Sequence, residues 1–368
     1  MNDPRLTPIA ASLPSTVPFV GPETQERARG RAFTARLGAN ENTFGPSPLA
    51  IQAMQDAASA VWMYGDPESF ALKNALAAHH NIPSENIAMG AGIDGLLGDL
   101  IRLYAGPGDA VVTSIGAYPT FNYHVAGFGA TLHAVPYKGD FEDPEALIEK
   151  ARETNAKLIY LANPDNPMAT CHDAATLQRM IDAVPDGSLL VLDEAYLEFA
   201  PKGSAPALDV SDPKVIRMRT FSKAYGMAGA RIGYAIASTP VVTAFNKVRN
   251  HFGISRISQA GALAALNDQT YLAQTLANVE NARETLGQIA RDNGLIPLRS
   301  ATNFVTMDCG QDGAFAKRIV EELAKRDIFI RMPFAEPQNR CIRISAGQPA
   351  ELEKCAAALP DAIKAAKA

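Results

Sequence analysis

The sequence is short of several features, and each shortage closes off a class of function. No stretch approaches about 18 unbroken apolar residues, so no membrane-spanning helix is expected. There is no long basic run and the net charge is −5, which argues against a nucleic-acid surface. The opening residues Met1-Asn-Asp-Pro-Arg-Leu6 carry no charged segment leading into an apolar core, so no secretory signal is expected. Four cysteines, Cys171, Cys309, Cys341 and Cys355, are scattered with neither a CxxC pair nor zinc-ligand spacing. Reduced thiols in a cytoplasm are the simpler reading. His79-His80 is not read as a metal pair, because neighbours on a helix point about 100° apart. No metal site is expected.

What remains is a chain of 368 residues, 47% hydrophobic and 20% charged, long enough for two domains of a soluble protein. Residues 1–35 are proline-rich and weakly periodic, which predicts an arm. Helices are expected over residues 48–63, with Ser47 as N-cap, and 68–80. Strands at 87–89, 110–114, 131–135, 158–161, 189–192, 215–218 and 231–236 then alternate with helices at 95–104, 144–154 and 173–184. That alternation implies a mostly parallel sheet with helices on both faces. Beyond about residue 255 the pattern changes to one long helical run, 259–293. It is followed by strands at 303–307, 328–331 and 340–345 and helices at 314–325 and 351–358. The expected division is an arm (1–35) packing with a smaller α+β domain (256–368), and a large α/β domain (36–255).

The chemistry gathers on Arg217-Met-Arg-Thr-Phe-Ser-Lys-Ala-Tyr-Gly-Met-Ala-Gly-Ala-Arg-Ile-Gly-Tyr234. A lysine beside a serine, among small residues and with an arginine eight places on, suits a phosphorylated carbonyl cofactor. Lys223 would form the Schiff base, while the Ser222 hydroxyl and the Arg231 guanidinium would hold the phosphate. The plain alternative is a strand-to-loop junction with a solvated lysine.

Gly90-Ala-Gly-Ile-Asp-Gly95 matches the G-x-G-x-x-G of a dinucleotide site, but the next strand ends without the acidic residue such sites use. A helix N-terminus offering its free N–H groups to one phosphate fits better, with an ordinary glycine-rich turn as the alternative. Asn163-Pro-Asp-Asn-Pro-Met-Ala169 places Asn166 in a turn at a strand end, as a donor to a ring oxygen or as part of a simple Asx-rich turn. Asp193 closes the apolar strand 189–192, where a carboxylate needs a partner. A protonated pyridine nitrogen and an arginine are both candidates, and Tyr196 lies three residues on. Phe121, in Tyr118-Pro-Thr-Phe-Asn-Tyr123, stacks on a flat ring or packs in the core. Arg343 sits inside a strand, where a bidentate grip on a carboxylate would explain it, and Arg331 offers a second anion site.

Together these segments resemble the fold-type-I pyridoxal-phosphate aminotransferases, most closely the histidinol-phosphate aminotransferase group, over nearly the whole chain. The resemblance is carried by Asn40-Glu-Asn, Tyr64, residues 90–94, residues 163–167, Asp193-Glu-Ala-Tyr196, the segment 219–234 and Arg343. It implies a three-layer α/β/α large domain plus a smaller α+β domain, and pyridoxal 5′-phosphate as cofactor. Lys223 would be the Schiff-base lysine and proton shuttle, Asp193 the pyridinium partner, Tyr196 and Asn166 contacts to the ring oxygen, and Phe121 the stacked ring. The phosphate would be held by Ser222, Arg231, the N–H groups of Ile93 and Asp94, and Tyr64 from a second subunit, which implies a homodimer. Arg343, Arg331, Asn40 and Phe19 would face substrate. The implied reaction passes an amino group from histidinol phosphate, or a related aromatic amino acid, to 2-oxoglutarate.

Departures touch the substrate side. Met168 and Ala169 stand where the family usually reads Thr-Gly, and Asp165 where it reads Asn. Phe19 stands where a tyrosine is typical, and His251 at a position often proline. The alternatives are a decarboxylase of a phosphorylated amino acid using the same cofactor and, from another class, an NAD-dependent oxidoreductase resting on residues 90–95 alone.

Overall fold

Leu189–Asp193 is buried along its whole length, and its unbroken apolar run puts it in the middle of a parallel sheet covered on both faces. The structure, a computed structural model, describes residues 4–15 and 20–368. Its main sheet has seven strands: β1 (Ile87–Gly90), β2 (Ala110–Ser114), β3 (Thr131–Val135), β4 (Leu158–Ala162), β5 (Leu189–Asp193), β6 (Val215–Thr220) and β7 (Gly233–Ile236). They lie in the order β1-β7-β6-β5-β4-β2-β3. Only β7 runs against its neighbours.

The two-residue period of a strand sends alternate side chains to opposite helical layers. Leu158 and Tyr160 of β4 join Leu96, Leu100, Phe121 and Val125, on helices Gly92–Tyr104 and Pro119–Phe128. Ile159 and Leu161 join Leu147, Ile148, Leu177 and Ile181, on helices Pro144–Thr154 and Ala174–Asp182. Asp143 and Asp173 cap those last two helices through their side chains. This is the expected three-layer arrangement.

Register brings the chemistry to one edge. Ala162 pairs with Asp193, Asp193 with Met218, Thr220 with Gly233 and Gly233 with Gly90. The C-terminal ends of β1, β4, β5 and β6 and the start of β7 therefore share a rim, where open α/β sheets take ligands.

A second sheet of three antiparallel strands, Cys341–Ser345, Phe304–Asp308 and Ile296–Pro297, closes over that rim. Thr306 Oγ1 donates to the carbonyl of Pro167 (2.7 Å), and Ala301 N to that of Ala169 (2.9 Å). The first described residues reach both ends of the molecule. Ile9 approaches Gly129, at the end of helix Pro119–Phe128, whereas Ala35–Arg36 pairs with Ile328–Phe329, and Arg29 and Arg31 both bind Asp327.

Several element boundaries differ from expectation. The run 259–293 is two helices, Arg256–Asn267 and Gln269–Asp292, with Asp268 between them accepting from Tyr271 N at 3.1 Å. The last helix, Pro349–Lys367, passes through Pro360, because Leu359, Ala362, Ile363 and Ala366 still bury one continuous face. The segment holding Phe121 is a helix begun by Pro119. Among the described residues no helix is long and apolar enough to cross a membrane, and no cluster of potential metal ligands occurs.

Candidate active site

The strand parity that buries β5 also decides the fate of two adjacent carboxylates. Asp193 and Glu194 are 5% and 1% exposed. Glu194 turns toward Arg217 and Arg219 and is ion-paired by both, with Arg219 Nε at 2.9 Å. Burial alone would push its carboxyl up, but the two guanidiniums outweigh this and hold it below its ordinary range. Asp193 faces the other way. It accepts from Tyr160 Oη (2.7 Å) and Ala195 N (3.0 Å) and has no ion-pair partner among the described residues. Burial pushes its carboxyl up to about 6. A cation brought to Asp193 would reverse that shift.

Lys223 follows the strand end of β6. Its Nζ donates to the carbonyl of Asn40 at 3.1 Å and lies 5.5 Å from the Tyr196 ring centroid. Burial, with Arg343 next in effect, pushes its ammonium down to about 8. Such an amine is free to act as nucleophile and base near neutral pH. Asn40 organises this corner. Its amide Nδ2 donates to Tyr196 Oη (3.0 Å), its N–H to Ser345 Oγ (3.1 Å), and its carbonyl also accepts from Asn303 Nδ2 (3.1 Å). Asn303 was not singled out in the sequence, where nothing marks it apart from other strand-end asparagines.

A third group forms an anion cup. Helix Gly92–Tyr104 starts at Gly92, so the N–H groups of Ile93 and Asp94 stand in its first turn. The Arg231 guanidinium reaches so close that a Cβ on Gly92 would lie 2.5 Å from its Nη2. Arg231 Nη1 stands 3.5 Å from Ser222 Oγ. The Asp94 side chain is turned aside by His124 (2.7 Å), which leaves the cup positive. Glycine, hydroxyl, guanidinium and helix N-terminus converge as a phosphate requires.

Arg343 and Arg331 form a backbone bridge and so project on the same side. Arg343 Nη1 donates to Asn166 Oδ1, its Nε is buried without a partner, and its guanidinium lies 5.1 Å from the Phe304 ring centroid. Burial lowers both arginines from their ordinary range, Arg343 to about 10.

Phe121 is fully buried and stacked on Tyr160, with centroids 4.5 Å apart, so the core claims it. Tyr118, at the N-cap of the same helix, is the aromatic that lies nearer the carboxylates: burial pushes its phenol up to about 12, and Asp94, Tyr196 and Asp193 are close enough to add to the shift. The quoted aromatic segment contained it, but only the helix start at Pro119 shows which ring stays at the rim. Tyr64, which the resemblance gives to a second subunit's site, is 75% exposed and stacks on Phe252. Phe19 lies outside the described residues. His251, exposed beside Phe252, donates from Nδ1 to the carbonyl of Arg249 (3.1 Å).

Residues 34–359 match the family "aminotransferase class I and II". The chain belongs to that family. It is an aminotransferase of the fold-type-I architecture, and its cofactor is pyridoxal 5′-phosphate. The histidinol-phosphate aminotransferase of Anaeromyxobacter sp. (strain Fw109-5) is 36% identical over 97% of this chain and 98% of its own length. A crystal structure of histidinol-phosphate aminotransferase from Sinorhizobium meliloti in complex with pyridoxal-5′-phosphate is 52% identical. It superposes with a TM-score of 0.96 over 99% of this chain and 98% of that one. Aspartate aminotransferase from Thermus thermophilus, at 20% identity and a TM-score of 0.79 over 92% and 94% of the two chains, shares the fold. The nicotinamide reading fails with the match and with β2, which ends at Ser114 without an acidic residue.

Proposed function

We propose that this aminotransferase moves the amino group of histidinol phosphate, or of a related aromatic amino acid, to 2-oxoglutarate. The observation that carries this is the pair of bridged arginines, Arg331 and Arg343, with Arg343 near enough for its charge to act on Lys223. Two guanidiniums on one side suit two different anions in turn, the phosphate of an amino donor and a carboxylate of a keto acid. Relatives that carry the histidinol-phosphate name over nearly their full length support the donor.

The geometry supports a set of roles. The Gly92–Arg231–Ser222 cup would hold the cofactor phosphate, and Asp193 the protonated ring nitrogen. Tyr118 would cover one ring face, and Tyr196 and Asn166 would reach the ring oxygen. The bound cofactor supplies a carbonyl that condenses with amines and a cationic ring that takes up carbanion charge. Lys223 Nζ would take up the substrate α-proton and hold it for return. Its lowered affinity for protons keeps part of it unprotonated for that task. Asp193 would keep the ring nitrogen protonated, and Arg343 with Arg331 would fix the substrate so that the α-proton stays within reach of Nζ.

A homodimer belongs to this reading. Val61 (59%), Trp62 (81%), Tyr64 (75%), Phe70 (66%) and Phe252 (50%) are exposed near one another in sequence or contact, more apolar surface than a monomer usually shows to water. We place the Tyr64 hydroxyl at the partner's phosphate cup. Four free thiols, three of them buried, are at home in the cytoplasm.

The test uses the cofactor-loaded protein and histidinol phosphate without any keto acid, followed by visible absorbance. Loss of the yellow band with histidinol phosphate, but little change with phenylalanine or tyrosine, is the expected result. Bleaching by an aromatic amino acid alone would reassign the donor. Release of carbon dioxide without keto-acid turnover would replace transamination with decarboxylation.

A further inference from the structure

Helix Gly92–Tyr104 begins at the anion cup without a side-chain cap. Its N-cap is Ala91, which offers no side-chain acceptor, so the N–H groups of the first turn stay open to an anion. Yet an acid stands in that turn: with Gly92 as the first helical residue, Asp94 is the third. An acid at the third position commonly reaches back and caps its own helix. The last helix of this protein shows it. Glu351, third in Pro349–Lys367, accepts from Gln348 N at 2.9 Å. Asp94 does not reach back.

The difference is His124, on helix Pro119–Phe128. Its Nε2 lies 2.7 Å from Asp94 Oδ1, the one hydrogen bond of that carboxylate among the described residues. This bond is the main reason the Asp94 carboxyl lies below its ordinary range. An ionised carboxylate only accepts, so Nε2–H donates; the contact needs a proton on that nitrogen and no charge on the ring.

The imidazole is seated over Gly98, one turn farther from the cup. A Cβ on Gly98 would lie 3.0 Å from its Cε1 and 3.2 Å from its Nδ1, so the glycine makes room for the ring. Residues 94 and 98 share one helix face. Each Cα–Cβ bond of a helix tilts toward the N-terminus, so an unpartnered Asp94 leans toward the cup. His124 draws it the other way. The carboxylate is not remote from the cup, since Arg231 is near enough for its charge to act on Asp94.

We propose that His124 is a positioning residue for the cofactor phosphate: by holding Asp94 toward Gly98, it stops that carboxylate from capping the helix and reserves the first-turn N–H groups and Arg231 for the phosphate. The proposal rests on the cup being the phosphate site. Without His124, Asp94 is a second anion competing for the same donors, and like charges at one helix N-terminus weaken each other's binding.

The experiment is equilibrium dialysis of the loaded enzyme, with bound ligand read by visible absorbance. It uses pyridoxal 5′-phosphate and, in parallel, pyridoxal, which lacks the phosphate. His124→Phe keeps a ring against Gly98 and removes the donor. It should weaken pyridoxal 5′-phosphate binding by about threefold to tenfold, the scale of one charge at a helix N-terminus, and leave pyridoxal binding unchanged. Asp94→Ala keeps the backbone N–H and removes the competing anion, so adding His124→Phe to it should have no further effect. His124→Ala serves in the same cycle if the first variant folds poorly. Wild-type affinity in the His124 variants overturns the proposal, as does an equal loss for pyridoxal or in the Asp94→Ala background, because His124 would then act on the fold and not through Asp94. Arg231→Gln separates the two readings. If it leaves pyridoxal 5′-phosphate affinity unchanged, the cup assignment falls and the proposal with it; if it weakens that affinity while His124→Phe does not, the proposal alone falls.

Discussion

Asp193 and Glu194 differ by one methylene and stand side by side, yet the sheet gives them opposite environments. Asp193 is opposite Met218 in the register, so Arg217 and Arg219 point to the face that Glu194 shares. In the sequence the partner of Asp193 stayed open between an arginine and a ring nitrogen, because parity across a strand pair is not written in either strand alone. With the arginines taken by Glu194, the ring nitrogen is the partner we propose for Asp193. Replacing Asp193 with Asn keeps the shape and removes the charge, and transamination should fall by about 10²–10³-fold or more, the size of losing one preorganised charge at a reacting group. Single-turnover loss of the yellow band checks this, with cofactor content measured alongside. Ala169 shows the same dependence on placement. It holds φ +64° where the family usually has glycine, and it is fully buried. Left-handed backbone costs a non-glycine residue about 1–2 kcal/mol, and glycine's freer unfolded chain takes back part of that. Ala169→Gly should therefore stabilise the protein by about 0.5–1 kcal/mol, read as a shift in the denaturant midpoint.

At the scale of elements, β4 and β5 were legible because a strand buried on both faces is apolar nearly throughout, β6 because Val215 and Ile216 lead it, and their ends carry polar residues of the candidate site. Helix Pro119–Phe128 was not, because its aromatic residues suit strand and helix alike. The break at Asp268 hid for a related reason: helical periodicity continues on either side of one capping residue. The same limit concealed the ion cluster joining β5 to β6. Arg217 also donates to the carbonyl of Pro206 (2.9 Å), so the cluster ties the loop after β5 into the rim. Removing the Glu194 charge would leave Arg217 and Arg219 buried without their anion. Glu194→Gln should lower stability by about 3–5 kcal/mol, measured by chemical denaturation of the cofactor-loaded protein. A loss under about 1 kcal/mol would mean that water reaches the cluster.

On the whole molecule, one group of aromatic residues faces water. Tyr64 and Phe252 stack at 4.5 Å between centroids while both stay at least half exposed, a contact that does little to shelter either ring. Trp62, two residues earlier and 81% exposed, extends the same surface. Large exposed rings are typical anchors of a protein interface, because each buries much area at small entropic cost. The sequence placed Tyr64 at the phosphate by resemblance alone; its exposure here agrees with a role in the neighbouring subunit's site. On this argument assembly and cofactor retention are one property. Trp62→Glu would put a charge into the contact, and the variant should run as a monomer in sedimentation while keeping the helical content of the wild type. It should also lose cofactor on dialysis far faster, since each cup would lack the hydroxyl reaching over from its partner. Tyr64→Phe separates the two effects: it should remain dimeric and bind the cofactor more weakly, by the roughly 1–3 kcal/mol of one hydrogen bond to a charged group. A Trp62→Glu monomer that holds cofactor as tightly as the wild type would show that each protomer completes its own cup.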